Sequence, residues 1–511
     1  MNKLIVLFVI PLFFIHCSDK PQAYQSMDRI PVIYPDYTAI TIPPNIAPLN
    51  FIIREKGTKF YVKIYGMTAD TIRIGSSSGI ISIAQKSWST LLEKNTDKPL
   101  FIDIYSKTDG GWIKYQTVKN KIAAEPIDGY LTYRLIEPQF SFYKVLGIYQ
   151  RNLQNFDEKP VLMNKFTGNN CMNCHEFCNN DASNFLMHLR GGPTSSTLIV
   201  HNGVVKKVNT GTSFSRAGAY PSWHPSGDLI AFSSNTLSLF FHSKGEIRDV
   251  MDKKSDLIVY LIDQNKIISS KAIANPDYLE TFPAWSPDGK YLYFCRTDKF
   301  ESFLDSTGTD LAFDKIRYDL VRVTFDRASL TFGEPEMIIN SKETGKSILM
   351  PRVSPDGKYV LFCMVEYGNF PIYRPDSDLY ILDIATGEYR NLTQINTDRT
   401  ESFHTFSHES KWFVVSSKRE TGLCSRPYFS YLSPEGNPSK PFLMPQKDPE
   451  FYKTFIKNYN RPELSKNPIN ISLQKLADTA YGTTLQAELD PKLAEGEKAI
   501  HDDGEFYQVP Q

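Results

Sequence analysis

The chain has 511 residues, of which 41% are hydrophobic and 13% aromatic, so it can form two or three separately packed cores. Lysine plus arginine and aspartate plus glutamate both number 57, and this balance gives no overall basic charge that would attract nucleic acid. The seven cysteines are too scattered for the dense framework of a small disulfide-rich fold.

The first 17 residues have the pattern of an export signal. A positive charge at Lys3 precedes an apolar run from Leu4 to Ile15, which is too short to cross a bilayer comfortably. The run ends near Cys17 and resembles a bacterial lipoprotein signal, in which that cysteine becomes the lipidated N-terminus. His16 stands where the family has a small residue, so ordinary cleavage with loss of Cys17 is the alternative. Lipidation implies a membrane-anchored protein of the cell envelope, periplasmic or at the outer membrane.

The next two segments are predicted to be a tether and a small β-domain. Residues 18–48 are rich in proline and tyrosine, which is typical of a linker. Between 49 and 140, aromatic and β-branched runs alternate with glycine and aspartate turns. These runs are FYVKIY (60–65), GIISI (79–83), LFIDIY (100–105) and WIKY (112–115). The pattern predicts a mainly β fold that begins with a β-sandwich-like domain.

The segment 141–196 has less regular patterning and contains the run CMNCH at 171–175. Cys-x-x-Cys-His is the attachment signature of c-type haem. Cys171 and Cys174 would form thioethers with the haem vinyl groups, and His175 would be the proximal iron ligand. Such attachment occurs outside the cytoplasm, in agreement with the export signal. We therefore predict an irregular segment that carries one covalent haem c.

The sixth iron ligand is predicted from residues that follow the motif. His188 is the preferred ligand because a short ordered element could turn its imidazole back toward the iron, and Met187 is the alternative. His201 and His224 are more remote candidates. An open sixth position is also compatible with the sequence, and it would favour a haem enzyme or a sensor.

Two other interpretations of the cysteine cluster remain open. Cys171 and Cys174 could form a local disulfide. Alternatively, Cys171, Cys174, His175 and Cys178 could bind zinc, although structural zinc sites usually take their ligands from two separated pairs. In the haem interpretation Cys178 has no assigned role.

An internal repeat follows the cysteine cluster and is the main indication of the fold. Four segments align, namely PSWHPSGDLIAFS (221–233), PAWSPDGKYLYFC (283–295), PRVSPDGKYVLFC (351–363) and HTFSHESKWFVVS (404–416). Each reads as strand, tight turn and strand. The Pro-Asp-Gly turn of the second and third segments forms because proline presets its φ and glycine accepts a positive φ. A second hairpin follows the first three units, with strands DLIVYLI (256–262), YDLVRVT (318–324) and DLYILD (378–383). Two hairpins make a four-stranded blade, so the repeat predicts a β-propeller.

The core WSPDGK at 285–290 resembles the propeller repeat of the TolB family of periplasmic proteins. This resemblance covers 197–445 and implies a fold rather than a reaction. Residues 197–206 look like an outer hairpin without its signature hairpin, so five or six blades are expected. Six is preferred, with strands from before 197 or from the C-terminal side closing the ring. Residues 446–511 are predicted to form a short helix and a C-terminal tail.

Together these features predict an exported mono-haem c protein with a propeller as docking platform. Its expected role is electron transfer or redox-linked interaction with an unidentified redox or envelope protein. The order of segments resembles envelope lipoproteins of Bacteroidetes-type bacteria, which implies no reaction. One alternative is a non-enzymatic TolB-like interaction protein, and another is a haem enzyme or sensor. A non-enzymatic role is preferred, and an enzymatic one stays open.

The lipoprotein signal makes a prediction for membrane attachment. The unmutated protein should partition into detergent and incorporate labelled fatty acid, because Cys17 would carry the lipid. Cys17→Ser should release the protein into the soluble fraction. Soluble unmutated protein would instead support ordinary cleavage beside His16.

Overall fold

The computed structural model describes residues 20–68, 71–137, 145–241, 248–299 and 312–494. The export signal and Cys17 lie outside these ranges, so lipidation stays a prediction. Within the described ranges, no helix is both long and apolar enough to cross a membrane.

The N-terminal part of the chain folds into two sheets and one helix. The larger sheet contains Tyr24–Ser26, Thr41–Ile42, Lys59–Tyr65, Ile72–Ser76, Pro99–Thr108, Gly111–Lys114 and Val118–Ile122. The smaller sheet contains Ile33–Tyr34, Phe51–Ile53 and Ile80–Ile81. The helix Gln85–Lys94 buries Trp88, whose Nε1 donates to the carbonyl of Ile46 at 3.0 Å. The expectation of a β-rich N-terminal domain is confirmed.

Residues 18–48 do not form the predicted tether. Where they are described, they contribute three short strands to the two N-terminal sheets. Tyr37 is fully buried, and its hydroxyl donates to the carbonyl of Leu443 at 3.3 Å. Prolines and tyrosines here make packed turns against the C-terminal half of the chain, so their abundance does not indicate a flexible linker.

Six further sheets, which we name sheets I to VI, make up most of the remaining structure. Their strands are given from the inner edge outward. Sheet I contains Asn458–Ser465, Tyr130–Ile136, Gly147–Asn152 and Glu158–Met163, and sheet II contains Cys171–Cys178, Asp181–Arg190, Ser196–His201, Val204–Asn209 and Leu485–Gln486. Sheet III contains Ala219–Trp223, Leu229–Phe241, Arg248–Leu261, Lys266–Ile268 and Glu488–Leu489. Sheet IV contains Tyr278–Trp285, Tyr291–Asp298 and Asp319–Asp326, which pairs with both Thr331–Phe332 and Glu336–Ile339. Sheet V contains Ser347–Val353, Tyr359–Val365, Asp378–Asp383 and Tyr389–Asn391, and sheet VI contains Glu401–Phe406, Trp412–Ser417, Arg426–Tyr431 and Phe442–Leu443.

The six sheets form a closed ring. The inner strand of each sheet contacts the inner strand of the next, and sheet VI contacts sheet I again. The ring closes because Asn458–Ser465, from the C-terminal side, pairs antiparallel with Tyr130–Ile136. Antiparallel sheets of four or more strands around a central channel define a β-propeller, and this prediction is confirmed.

The propeller begins well before residue 197, and the segment 141–196 is not irregular where it is described. Cys171–Cys178 and Asp181–Arg190 are the first two strands of sheet II. Their connecting turn lacks the Pro-Asp-Gly signature. Asn179 and Asn180 adopt the left-handed conformation instead, with φ of 50° and 56°. Asparagine tolerates positive φ better than most residues, so this turn forms without the glycine that identifies the repeat.

Residues 446–494 form regular elements, and the rest of the predicted C-terminal tail lies outside the described residues. The predicted short helix is present as Phe451–Thr454, and a second helix, Leu473–Tyr481, buries Leu476 and Ala480 against sheets I and II. Ser472 caps this second helix by accepting from the backbone N–H of Lys475. Two short strands then pair in parallel with the outer edges of sheets II and III. The remaining helices are Ser341–Thr344 and Pro491–Ala494, with 3₁₀ turns at Asn164–Phe166, Ala312–Lys315 and Pro371–Tyr373.

A buried carboxylate joins three of the propeller sheets. Asp252, 1% exposed, lies in the strand Arg248–Leu261 of sheet III, opposite Leu237. It accepts hydrogen bonds from Asn235 Nδ2 at 2.8 Å, Asn369 Nδ2 at 2.7 Å and the Tyr318 hydroxyl at 3.0 Å. Burial raises the pKa of Asp252 to about 6, and the hydrogen bonds only partly offset this effect.

The raised pKa of Asp252 makes stability depend on pH. The folded protein holds this proton more tightly than the unfolded chain, so the stabilisation present near pH 4 is lost as the pH rises through about 6. A shift of this size corresponds to about 3 kcal/mol at neutral pH. Between pH 4.5 and 7.5, the free energy of unfolding of Asp252→Asn, measured in urea, should therefore rise by up to about 3 kcal/mol relative to that of the unmutated protein. Parallel pH profiles for the two proteins would contradict the assignment.

Candidate functional site: the central channel

Every inner strand of the propeller has a bulge at the same repeat position. At each bulge a residue other than glycine adopts a left-handed conformation, with φ between 41° and 55°. These six residues are Arg461, Cys174, Tyr220, Phe282, Met350 and Phe403 in sheets I to VI. The next residue is proline in four strands and histidine in the other two, His175 and His404. Such a conformation is unfavourable for a side chain with Cβ, so its sixfold recurrence indicates a constraint imposed by the channel.

Five of the six bulge residues line one cavity in the channel. The cavity has a volume of about 40 Å³ and is walled by Tyr220, Phe282, Met350 and Phe403. The rings of Tyr220 and Phe282 lie 4.7 Å apart between centroids. Tyr220 and Phe282 are each 5% exposed, whereas Met350 and Phe403 are partly exposed. The cavity therefore meets solvent beside Met350 and Phe403.

A network of four charged side chains crosses the channel next to this cavity. Arg352 in sheet V contacts Glu176 in sheet II at 3.0 Å and Glu463 in sheet I at 2.7 Å. Arg461 contacts Glu176 at 3.2 Å. Burial and the nearby Glu176 raise the pKa of Glu463 to about 7, although the two arginines oppose this. The network joins three sheets, and removing one member would leave a buried charge without compensation, at a cost of about 3–5 kcal/mol.

The Cys-x-x-Cys-His motif lies in the inner strand of sheet II. Cys174 is the bulge residue and is 1% exposed, and His175 occupies the position that is proline in four other strands. Cys178 takes the place of the repeat residue Ser286, with its Sγ 3.7 Å from the carbonyl of His224. Burial raises the pKa of Cys178 to about 12, so its thiol is neutral. These residues therefore meet the packing requirements of a propeller repeat.

The motif residues face different neighbours. Met172 pairs with Leu189, and both pack against sheet I. Strand alternation then directs Cys171 toward sheet III. His175 points toward sheet I, where its Nε2 lies 3.3 Å from the carbonyl oxygen of Thr132. A covalent haem needs both thiols and the histidine to face one porphyrin, so these residues, as placed, do not fit one.

The predicted sixth ligands do not approach His175. His188 pairs with Asn173 on the face opposite His175, and its Nδ1 lies 3.1 Å from the Thr197 hydroxyl. Burial lowers the pKa of His188 to about 3. Met187 is fully buried in the core between sheets I and II.

The structure also does not place His201 or His224 near His175, and it shows neither the zinc site nor the disulfide within the described residues. His201 lies in an outer strand, and His224 Nε2 is 3.2 Å from the carbonyl of Gly289. Within the described ranges, no three His, Cys, Asp or Glu side chains are grouped closely enough to hold a metal ion. All six described cysteines, including Cys171 and Cys174, are free thiols. The haem thus stays a prediction from the sequence alone.

Several buried polar atoms around the channel have no hydrogen-bond partner. They are Nε of Arg134, Nδ1 of His175, Nε2 of His404, Oδ1 of Asn460 and Nε of Arg461. All belong to the inner two strands of sheets I, II and VI. Buried polar groups are normally paired, so an unpaired cluster points to a group that enters this place. Apart from His175, these residues were not predicted from the sequence, because their positions become equivalent only after sheets I and II are recognised as repeats.

Comparison with known proteins finds no family and only distant structural similarity. No family model and no curated protein matches the chain. Oligogalacturonate lyase in complex with manganese aligns with 62% of this chain and 73% of its own at 11% identity, with a TM-score of 0.36. An auxiliary nutrient binding protein from Bacteroides thetaiotaomicron aligns over 76% and 95% at 9% identity, with a TM-score of 0.32. Prolyl oligopeptidase B from Galerina marginata aligns over 78% and 54% at 12% identity, also with a TM-score of 0.32. These similarities carry no argument about activity, and the class of β-propeller proteins rests on the sheet topology.

The sequence motif and the placement of its residues disagree about haem, and one experiment decides between them. The protein would be produced in a host with c-type maturation machinery and stained for haem after denaturing electrophoresis. From the placement of Cys171 and His175 on opposite faces, we expect a folded protein whose denatured band carries no haem. A band that retains haem and loses it in Cys171→Ser would show that this strand opens during maturation.

Proposed function

We propose that the protein is a non-enzymatic, TolB-like docking protein of the cell envelope, and that a partner binds at the solvent-facing end of the central channel. The observation that carries this proposal is the recurrent bulge. Five of its six residues line one cavity, although each adopts an unfavourable backbone conformation. Strain of this kind is characteristically retained at functional sites. The envelope location rests on the export signal in the sequence.

The composition of the channel favours binding over chemistry. The walls are aromatic and thioether side chains, which bury large apolar area, and the flexible thioether of Met350 can adapt to the shape of a ligand. Phe370 extends this surface, with its ring centroid 6.3 Å from that of Tyr220. The network of two arginines and two glutamates beside the cavity is internally paired. It makes that side of the cavity polar without providing a free nucleophile. Such a site recognises a ligand by shape and a few polar contacts.

A photo-crosslinking experiment tests where the partner binds. A photoreactive amino acid would replace Phe403, which lines the cavity and is partly exposed. Illumination of cells that produce the full chain should give one discrete crosslinked product, because the partner would cover this side chain. The product would be identified by mass spectrometry.

The control places the same group at Val204, which is 59% exposed in an outer strand of sheet II. Addition of Phe282→Ala to the Phe403 protein should reduce the crosslinked product at least tenfold, because the cavity loses one aromatic wall. Equal crosslinking from Phe403 and Val204 would contradict a binding site at the channel.

A further inference from the structure

We infer that the channel cavity takes the carboxylate group of its ligand, which Arg461 Nε and His404 Nε2 bind by donating hydrogen bonds. This inference rests on the proposed function, since it names the chemical group that the docking site recognises. The carboxylate could belong to the end of a partner's polypeptide chain or to a free organic acid, and the two sources share the same contacts.

The first support is the pair of unpartnered nitrogen atoms. Both residues line the cavity, and their inner strands are neighbours in the ring. Arg461 Nε is buried without a hydrogen bond and lies 3.8 Å from Glu463 Oε1, beyond hydrogen-bond range. His404 is 3% exposed, and its Nε2 is likewise unpartnered.

The protonation of His404 is compatible with donation. Its Nδ1 lies 3.8 Å from the Sγ of Cys363, whose own S–H donates to the carbonyl of Glu401, so the inference requires the tautomer with its proton on Nε2. Burial lowers the pKa of His404 to about 3, so the ring is neutral at physiological pH. A neutral ring with its proton on Nε2 donates one hydrogen bond into the cavity.

The second support is the charge around the cavity. Arg134, Arg190, Arg352 and Arg461 contribute four positive charges at or near Cys174, Tyr220 and His175. The acids that act on Tyr220 and Arg352 are Asp252, Glu176 and Glu463, at most three negative charges. The region is therefore positive on balance. A guanidinium offers five N–H donors and no acceptor, so the two arginines in the network exceed the two carboxylates in hydrogen-bonding capacity.

The third support is size. A cavity of about 40 Å³ has room for about three water-sized groups, which matches the three heavy atoms of a carboxylate. The rest of the ligand would have to lie outside, against the partly exposed Met350 and Phe403. An apolar substituent next to the carboxylate suits these two side chains.

Isothermal titration of the full chain with phenylacetate and phenylacetamide tests the inference. The two probes have the same shape, and only the first carries the charge. We expect phenylacetate to bind at least tenfold more tightly, because a charge-assisted hydrogen bond to Arg461 is lost in the amide. Equal affinity for the two, or no detectable binding of either phenylacetate or the peptide acid below, would overturn the inference.

Three variants separate the contacts from general effects. Arg461→Gln and His404→Phe should each weaken phenylacetate binding at least tenfold. His404→Phe leaves the charge network intact, so it keeps the test decisive if Arg461→Gln fails to fold. Lys342→Gln removes an exposed positive charge from the helix Ser341–Thr344, where the side chain is 77% exposed, and should leave affinity unchanged. An equal loss in Lys342→Gln would mean that only the overall charge matters, against a specific site.

A peptide arm identifies the source of the carboxylate. N-acetyl-Ala-Ala-Phe would be compared as the free acid and as the amide. Binding of the acid at least tenfold tighter than phenylacetate indicates the end of a polypeptide chain, whereas similar affinity indicates a small organic acid. Both results support a carboxylate site. Crosslinking from Phe403 is independent of this comparison, so failure of the carboxylate inference can be distinguished from failure of the docking proposal.

Discussion

The pairing of Tyr130–Ile136 with Asn458–Ser465 is the interaction on which the rest of the structure depends. It joins two parts of the chain that lie far apart in sequence, and it converts a row of sheets into a ring. It also completes the channel chemistry, because the closing strand brings Arg461 and Glu463 to Glu176 and Arg352. Ring closure and the charge network are thus consequences of the same strand.

The channel shows how a repeat can be uniform in backbone and varied in side chains. The bulge recurs in all six inner strands, yet its residue ranges from arginine to phenylalanine. Two positions further along the same strands, Glu176, Arg352 and Glu463 replace the small residues Ser222 and Ala284. The repeated backbone sets the position of each Cα in the channel, and the residue type at that position makes it charged, aromatic or apolar. The side chains placed on the repeated backbone, rather than the backbone itself, therefore determine what the channel can bind.

The repeat predicts the propeller because the Pro-Asp-Gly turn and the buried strand after it are local features. Sheets I and II escaped sequence reasoning for two physical reasons. Asn179 and Asn180 replace the turn glycine by tolerating positive φ, and the inner strand of sheet I comes from the other end of the chain. The Cys-x-x-Cys-His run was interpreted by spacing alone, which cannot reveal that Cys174 is itself a bulge residue and that His175 after it faces sheet I, away from Cys171. The unpartnered atoms of Arg461 and His404 depend on tertiary packing and leave no trace in the sequence.

Ring closure has a consequence for the order in which the protein can fold. More than 300 residues separate Ile136 from Asn458, so sheet I has an unpaired inner edge until nearly the whole propeller has been synthesised. Contacts over such a separation form slowly, because the loop must close before they stabilise it. An open strand edge is also a template for pairing with another chain. The folding chain is therefore most vulnerable to aggregation until Asn458–Ser465 has paired with Tyr130–Ile136.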